Sequence, residues 1–325
     1  MVSSSGDSRG RVLTVTPNPA LDITYHLDHL HPGEGHRVRP LVRAGGKGLN
    51  VARVGHQLGH PVLAVAPVGG GEGAGFRAEL EDSGVPHRLV PVPVATRRSI
   101  AIVETAGHRT TILNEVGAAL GAAGWHELLS VVTSLLDGRD GSGPVAVLVG
   151  CGSLPEDAPA DFYAQLVRLS RARGIPAVVD TSGQQLLEAA RAGADLLKPN
   201  QEELAEAVGT NDPVVGARLL LQLGAQRVLV SLGAEGMVAL SRTTPTSHLR
   251  ARLDRPLSGN PTGAGDAAVA AVAVALAAAE HDLETLLRRA TALSAAAVLT
   301  PQAGAVCDDY HDLERRLTVT EEIER

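Results

Sequence analysis

One string in the chain puts chemically useful residue types at a helix start: Asn260-Pro261-Thr262-Gly263-Ala264-Gly265-Asp266-Ala267. The run from Ala267 to Ala279 has few breakers and predicts a buried helix. Glycines at such a start leave backbone N–H groups pointing outward, and the helix N-terminus adds partial positive charge. That combination receives a phosphate or an anion that develops during a reaction. A carboxylate would repel an anion that was merely bound. Asp266 makes sense there if it takes a proton while Gly263, Ala264 and Gly265 stabilise a phosphoryl group in transit. The competing reading is an N-capping Asp after a glycine turn, and the string alone leaves both open.

The cations hold a second clue. Of 29 Lys and Arg, only Lys47 and Lys198 are lysine. They stand in the short strings Gly45-Gly46-Lys47-Gly48 and Lys198-Pro199-Asn200. Lysine is a compact point charge that contacts phosphate oxygens without a planar fork. Chance is the alternative with two occurrences, but Lys47 lies among glycines, where no packing role requires it.

These residues need elements to position them. Val12–Thr16, Val62–Ala66, Val145–Val149, Ala177–Asp180, Leu196–Lys198 and Arg227–Ser231 read as core strands. Gly48–Leu58 and Gly73–Ser83 read as helices, and further helices fall between the later strands. This βαβ alternation predicts an α/β fold with a parallel sheet covered on both faces. Asp22–Val42 and Thr96–Leu113 break the pattern. Their polar alternation, the second around a Gly107-His108 turn, predicts antiparallel strands with one wet face that pair into a small sheet acting as a lid. No linker is long enough to separate two independent domains, so residues 11–325 read as one unit. Residues 1–10 are polar, lack an apolar core segment and read as a disordered tail, not a signal peptide.

Ligands of open α/β sheets lie beyond the carboxyl ends of strands. Asp22, Gly152 and Ser153, Asn200 and Glu203, and Ser231, Gly233 and Gly236 all follow such ends. Each alone is an ordinary turn or cap; together they suggest a shared cleft. Asn200 and Glu203 have the spacing of a capping box. The functional alternative is that they organise water around Mg²⁺, which prefers oxygen ligands.

Three look-alikes are set aside. Gly45-Gly46-Lys47-Gly48 is followed by Leu49, where a P-loop needs Ser or Thr. Gly69-Gly70-Gly71-Glu72-Gly73-Ala74 lacks the acid that a dinucleotide site places at the end of the next strand. His26, His29, His31 and His36 lack cysteine partners and lie on the expected lid, so they read as surface histidines.

Hydrophobic residues make up 44% but aromatics only 2%, so the core must be built from Ala, Val and Leu. The net charge of −7 argues against broad nucleic-acid or anionic-membrane binding. No apolar run has the length of a membrane span. Two cysteines, Cys151 and Cys307, form no disulfide framework and fit a reducing, cytoplasmic setting.

From about Arg11 to Asp308 the chain resembles the PfkB/ribokinase-like sugar kinases, and within them the group containing 1-phosphofructokinases and tagatose-6-phosphate kinases. The strings that carry the resemblance are Thr16-Pro17-Asn18-Pro19-Ala20-Leu21-Asp22, Gly45 to Ala52, Thr96-Arg97, Gly152-Ser153-Leu154-Pro155, Lys198 to Leu204, Ser231-Leu232-Gly233-Ala234-Glu235-Gly236 and Gly263 to Asp266. The resemblance implies a ribokinase-like three-layer α/β/α sandwich with a mostly parallel central sheet and a β lid. It also implies ATP and Mg²⁺, with Asp266 as the base and Gly263, Ala264 and Gly265 as the anion hole. Asn200 and Glu203 would support Mg²⁺. Lys198, Ser231, Gly233, Ala234, Glu235, Gly236 and Gly265 would line the ATP site. Asp22, Gly46 and Asn50 would hold sugar hydroxyls. Lys47, Arg97 and Ser153, with Arg37 from the lid, would hold the phosphate already on the sugar. Asn260-Pro261 before the glycines looks like tagatose-6-phosphate kinases, while Pro17-Asn18-Pro19 and Cys151-Gly152-Ser153 occur in 1-phosphofructokinases. The resemblance thus puts fructose 1-phosphate first, followed by tagatose 6-phosphate and fructose 6-phosphate. A kinase of unphosphorylated sugars or nucleosides, or a silent sugar-phosphate sensor, are the alternatives. Relatives often pair through the lid, which implies a homodimer.

Overall fold

The computed structural model describes residues 10–107, 109–141 and 143–323. The expected tail therefore lies, but for Gly10, outside the described residues, as does His108 of the expected turn. In chain order the elements are β1 (Arg11–Val15), β2 (Ala20–Leu27), β3 (Pro40–Gly45), α1 (Lys47–Gln57), β4 (Val62–Val68), α2 (Gly70–Ser83), β5 (His87–Pro91), β6 (Arg97–Glu104) and β7 (Arg109–Asn114). They continue with α3 (Gly121–Leu136), β8 (Val145–Cys151), α4 (Phe162–Arg171), β9 (Ala177–Asp180), α5 (Gly183–Arg191), β10 (Leu196–Leu197), α6 (Gln201–Val208), α7 (Pro213–Leu223) and β11 (Arg227–Ser231). The last are β12 (Met237–Ser241), β13 (Ser247–Leu253), α8 (Ala264–Ala277), α9 (Leu283–Val298), α10 (Tyr310–Arg315) and β14 (Leu317–Ile323).

Among the described residues ten strands form the main sheet, in the order β14-β13-β12-β11-β10-β9-β8-β1-β4-β5. From β11 to β5 all neighbours are parallel; β12, β13 and β14 extend the edge antiparallel. The strand order reverses at β1, which lies between β4 and β8. Such a reversal opens a crevice at the carboxyl ends of the two strands.

Both faces of the sheet are dry. Val12, Val147 and Val178 belong to one apolar cluster, while their neighbours Leu13, Leu148 and Val179 belong to the other. Alternate residues thus meet helices on opposite faces, which is why these strands read as continuous apolar runs. On one face α8 is buried all round: Ala267 to Ala273 are at most 2% exposed. Its methyl-sized side chains let it pack against α1, α9 and the sheet at once. This close packing explains how a chain so poor in aromatics fills its core. Half of the few large rings, Trp125, Phe162 and Tyr163, pack edge to face on the opposite side.

The second sheet has the order β3-β2-β6-β7. The two irregular segments do pair, but not wholly antiparallel. Each forms a hairpin, β2/β3 and β6/β7, and β2 joins β6 in parallel. Parallel pairing follows because β2 and β6 both leave the main sheet at its carboxyl end and run the same way.

Candidate active site

A cleft of about 940 Å³ lies over the reversal point. Its walls come from the small sheet, the carboxyl ends of β1 and β8 to β11, and the first turns of α1 and α8. Both helices begin at glycines that nothing larger could replace. Gly46 precedes α1 with φ of 118°, and a methyl group there would stand 2.6 Å from Thr16 Cγ2. Gly263, not Asp266, is the N-cap of α8, with φ of 84°. A methyl on it would stand 2.8 Å from Ala303 Cβ. The capping reading of Asp266 therefore fails. The residue is the third of the helix, and its Oδ2 accepts a hydrogen bond from Asn50 Nδ2 at 2.8 Å.

Four charged groups meet on the cleft floor. Lys47 Nζ is 3.4 Å from Asp180 Oδ1 and 3.3 Å from Glu203 Oε1. Lys198 Nζ is 3.7 Å from the same Asp180 oxygen, and a methyl on Gly265 would stand 3.2 Å from it. Lys198 thus lies beneath the start of α8. Among the described residues Asp180 Oδ2 is buried without a hydrogen-bond partner. Burial, together with the Asp180 charge, pushes the Asp266 carboxyl up to about 7, against the Asn50 hydrogen bond and the two lysines. Asp180, with Glu203 adding, holds the Lys47 ammonium well above its ordinary range, although burial opposes it. A carboxylate that titrates near neutrality can take a proton from an alcohol, and two ammonium groups with two helix starts can balance charge on phosphoryl oxygens.

The Asn200–Glu203 capping box is present: Asn200 Oδ1 accepts from Glu203 N at 2.7 Å, and Glu203 Oε2 from Asn200 N at 2.9 Å. Glu203 Oε1 still faces Lys47 and the cleft, so the cap and a role in the cleft coexist.

At the small-sheet end, Asp22 and Arg97 line the cleft with Ser153. Burial pushes Asp22 up to about 6, opposed by Arg97, Arg43 and Arg53. Gly45 makes room for it: a methyl there would stand 2.0 Å from Asp22 Oδ2. The Arg97 guanidinium donates to the carbonyls of Asn18 and Glu115 at 3.3–3.4 Å, and Asn18 Nδ2 donates to Ser153 Oγ at 3.1 Å. At the far end stand Ser231, Gly233, Ala234 and Gly236. Gly236 closes the turn into β12 so tightly that a methyl would stand 2.0 Å from Ala251 O.

Nearly all the expected site residues therefore line one cleft. Two do not: Glu235 and Arg37 are exposed and lie outside the lining. Lys47 faces the carboxylates at the cleft centre, with partners distinct from those of Arg97. Sequence reading missed Asp180, although an acid ending a core strand was the available signal. It also missed Thr291, Ser294, Ala295 and Val298, which line the far end from one face of α9. Two hydroxyls at helical spacing in an apolar run were the signal there.

Comparison with known proteins agrees with this geometry. Residues 16–309 match the pfkB family of carbohydrate kinases. The chain is 35% identical over 317 residues to the ATP-dependent 6-phosphofructokinase isozyme 2 of Mycobacterium tuberculosis, covering 95% of this chain and 89% of the relative. It is 36% identical over 296 residues to the 1-phosphofructokinase of Xanthomonas campestris, covering 87% and 90%. The structure of Escherichia coli phosphofructokinase-2 in complex with potassium superposes with a TM-score of 0.84 at 30% identity, covering 94% of this chain and 98% of that one. The chain thus belongs to the pfkB family of carbohydrate kinases, ribokinase-like phosphotransferases that act on an alcohol group.

Proposed function

We propose that this kinase transfers the γ-phosphoryl group of ATP to a hydroxyl of a phosphorylated ketohexose, with fructose 1-phosphate as the acceptor and fructose 1,6-bisphosphate as the product. The observation that carries this reading is the placement of Asp266 between two recognition ends. Asp22, Arg97 and Ser153 stand on one side, and the Ser231–Gly236 turn with α9 stands on the other. Asp22, Gly46 and Asn50 hold sugar hydroxyls. Arg97 and Ser153, with Lys47 at the cleft centre, meet the sugar's own phosphate. The nucleotide lies toward Ser231, Gly233, Ala234 and Gly236, with Lys198 near its phosphates. As the acceptor oxygen attacks the γ-phosphorus in line, Asp266 takes its proton, and the N–H groups at Gly263–Gly265 receive the phosphoryl oxygens. The small sheet acts as a lid that keeps water from competing as acceptor.

Mg²⁺ fits the donor set. Among the described residues no three His, Cys, Asp or Glu come close enough to grip a bare ion. Glu203 and the free Asp180 Oδ2 are oxygen donors suited to an ion that keeps its waters and shares substrate phosphates. Bound there, Mg²⁺ would supply charge neutralisation on the nucleotide. We also propose a homodimer joined through the small sheet. No helix among the described residues is long and apolar enough to cross a membrane. Both cysteines are free, which suits the cytoplasm.

Fructose 6-phosphate is the second reading, favoured by the mycobacterial relative. The two acceptors lead to the same bisphosphate from opposite ends of the sugar. ADP release is measured with Mg²⁺·ATP and fructose 1-phosphate, fructose 6-phosphate, tagatose 6-phosphate, free fructose or ribose. The expected result is a preference for fructose 1-phosphate. A preference for fructose 6-phosphate moves the acceptor to the second reading, and turnover of free sugars alone overturns the sugar-phosphate assignment.

A further inference from the structure

Beyond the residues that line the cleft, one side chain ties the small sheet to the start of α8. Arg43 stands in β3, half-buried, and its Nη1 donates to the carbonyl oxygen of Ala303 at 2.5 Å. Ala303 lies flush on Gly263: a methyl on that glycine would stand 2.8 Å from Ala303 Cβ and 2.9 Å from its Cα. The next residue, Gly304, is pressed onto α1, where a methyl would stand 2.9 Å from Asn50 Oδ1 and 3.1 Å from Arg53 Cδ. The segment 303–304 is therefore wedged between the small sheet, α1 and the N-cap of α8.

The other side of Arg43 is equally fixed. The neighbouring Ala44 donates its N–H to Glu79 Oε2 at 3.0 Å and accepts at its carbonyl from Arg53 Nη2 at 3.1 Å. Arg53 and Glu79 are themselves an ion pair between α1 and α2. A strand clamped at one residue thus presents, at the residue before it, a rigid fork toward Ala303. Close-packed interiors pass small displacements on instead of absorbing them. Arg43 itself is outside the cleft lining; across the β2/β3 ladder it stands opposite Asp22.

We propose that Arg43 is a positioning residue for phosphoryl transfer. It holds Ala303 against Gly263 and thereby fixes the N–H groups at the start of α8 in the geometry that receives the phosphoryl group. The inference rests on phosphoryl transfer at α8 but not on which sugar phosphate is the acceptor. Loosening this support acts on the transition state, where the N–H groups matter most, and leaves ground-state binding of either substrate nearly as it was.

The test compares wild type with Arg43→Ala, Arg43→Met and Arg43→Lys, using whichever acceptor the wild type turns over. Circular dichroism and thermal melting identify the variants that fold. The expected result for Arg43→Ala and Arg43→Met is a kcat lower by about 10- to 100-fold, the range for small misplacements of catalytic groups. Both KM values stay within about twofold, the mark of an interaction made only in the transition state. Arg43→Lys, which keeps a cationic donor, recovers part of the loss. Two outcomes overturn the proposal: an unchanged kcat with a raised KM for the sugar phosphate, which assigns Arg43 to Asp22 and the sugar, or no effect at all. If the two apolar variants fail to fold, Arg43→Lys decides by the same kcat-against-KM split. If wild type turns over none of the acceptors, the acceptor reading fails on its own. The same ratio is then read from hydrolysis of ATP by water, where wild type must remain faster.

Discussion

Burial and the nearby Asp180 charge let Asp266 keep its proton to about pH 7, which gives two linked expectations. Only the ionised form can accept the acceptor's proton, so kcat/KM of the free enzyme rises with pH through about 7 and then levels. Asp266→Asn loses at least ~10²-fold in kcat and with it this limb of the profile. Stability runs the other way. The folded state binds this proton more tightly than the unfolded chain does, so stability is lost as pH rises from the unfolded value of 3.8 toward 7. The isosteric amide escapes that loss. Asp266→Asn should therefore melt higher than wild type at pH 8, with the gap closing near pH 4. A variant that kept wild-type turnover would remove Asp266 from the mechanism. At this scale the sequence was informative where a short string stood out, as with Gly263–Asp266, which the fold sets at the head of α8 in the cleft. Asp180 was not singled out because its meaning depends on Lys47 and Lys198, which reach it from other elements.

Elements deliver these residues through tight backbone approaches. Gly45 and Gly46 let β3 and α1 close around Asp22 and Thr16. Gly45→Ala forces its methyl into the Asp22 carboxylate, whose place it would share. The expected outcome is a KM for the sugar phosphate raised about tenfold or more, roughly the effect of losing one charged hydrogen-bonding group, with the KM for ATP little changed. Equal effects on both would show that the substitution had disturbed the whole cleft. The parallel strands other than β5, and the helices α1, α2 and α8, were legible from periodicity to within a few residues. The edge strands β12 to β14 were not: β12 and β13 follow β11 with no helix between them as a marker, and β14 returns to the sheet only after α8, α9 and α10. The parallel joint of β2 to β6 was hidden too: each hairpin shows its own turn, but nothing local shows which strand of one meets which strand of the other.

For the molecule as a whole, the alternation of strand and helix gave the layered fold, since each strand residue faces one of two apolar clusters. The small sheet is different. Leu41 and Val42 on β3, and Ile112 and Leu113 on β7, remain 45–54% exposed. Apolar residues left exposed on both edge strands of a sheet this small suit a partner surface, and a second copy is the proposed occupant. Sedimentation of wild type should give twice the mass of one chain, and a double change, Ile112→Lys with Leu113→Lys, should give one. A wild type that stays monomeric at micromolar concentration would end the dimer proposal.

Because Lys47 and Lys198 are the sole lysines, the ε-amino groups of this protein all stand in its cleft. The Lys198 side chain is 3% exposed and that of Lys47 38%. An acylating reagent should therefore mark one lysine per chain, at Lys47, leaving the α-amino group aside. The nearby carboxylates keep that amine protonated, so labelling should be slow at neutral pH and faster in alkali. Bound nucleotide and sugar phosphate should shield it. In a mixture, the unmarked fraction read by peptide mass spectrometry would then count the filled clefts, with no measurement of turnover.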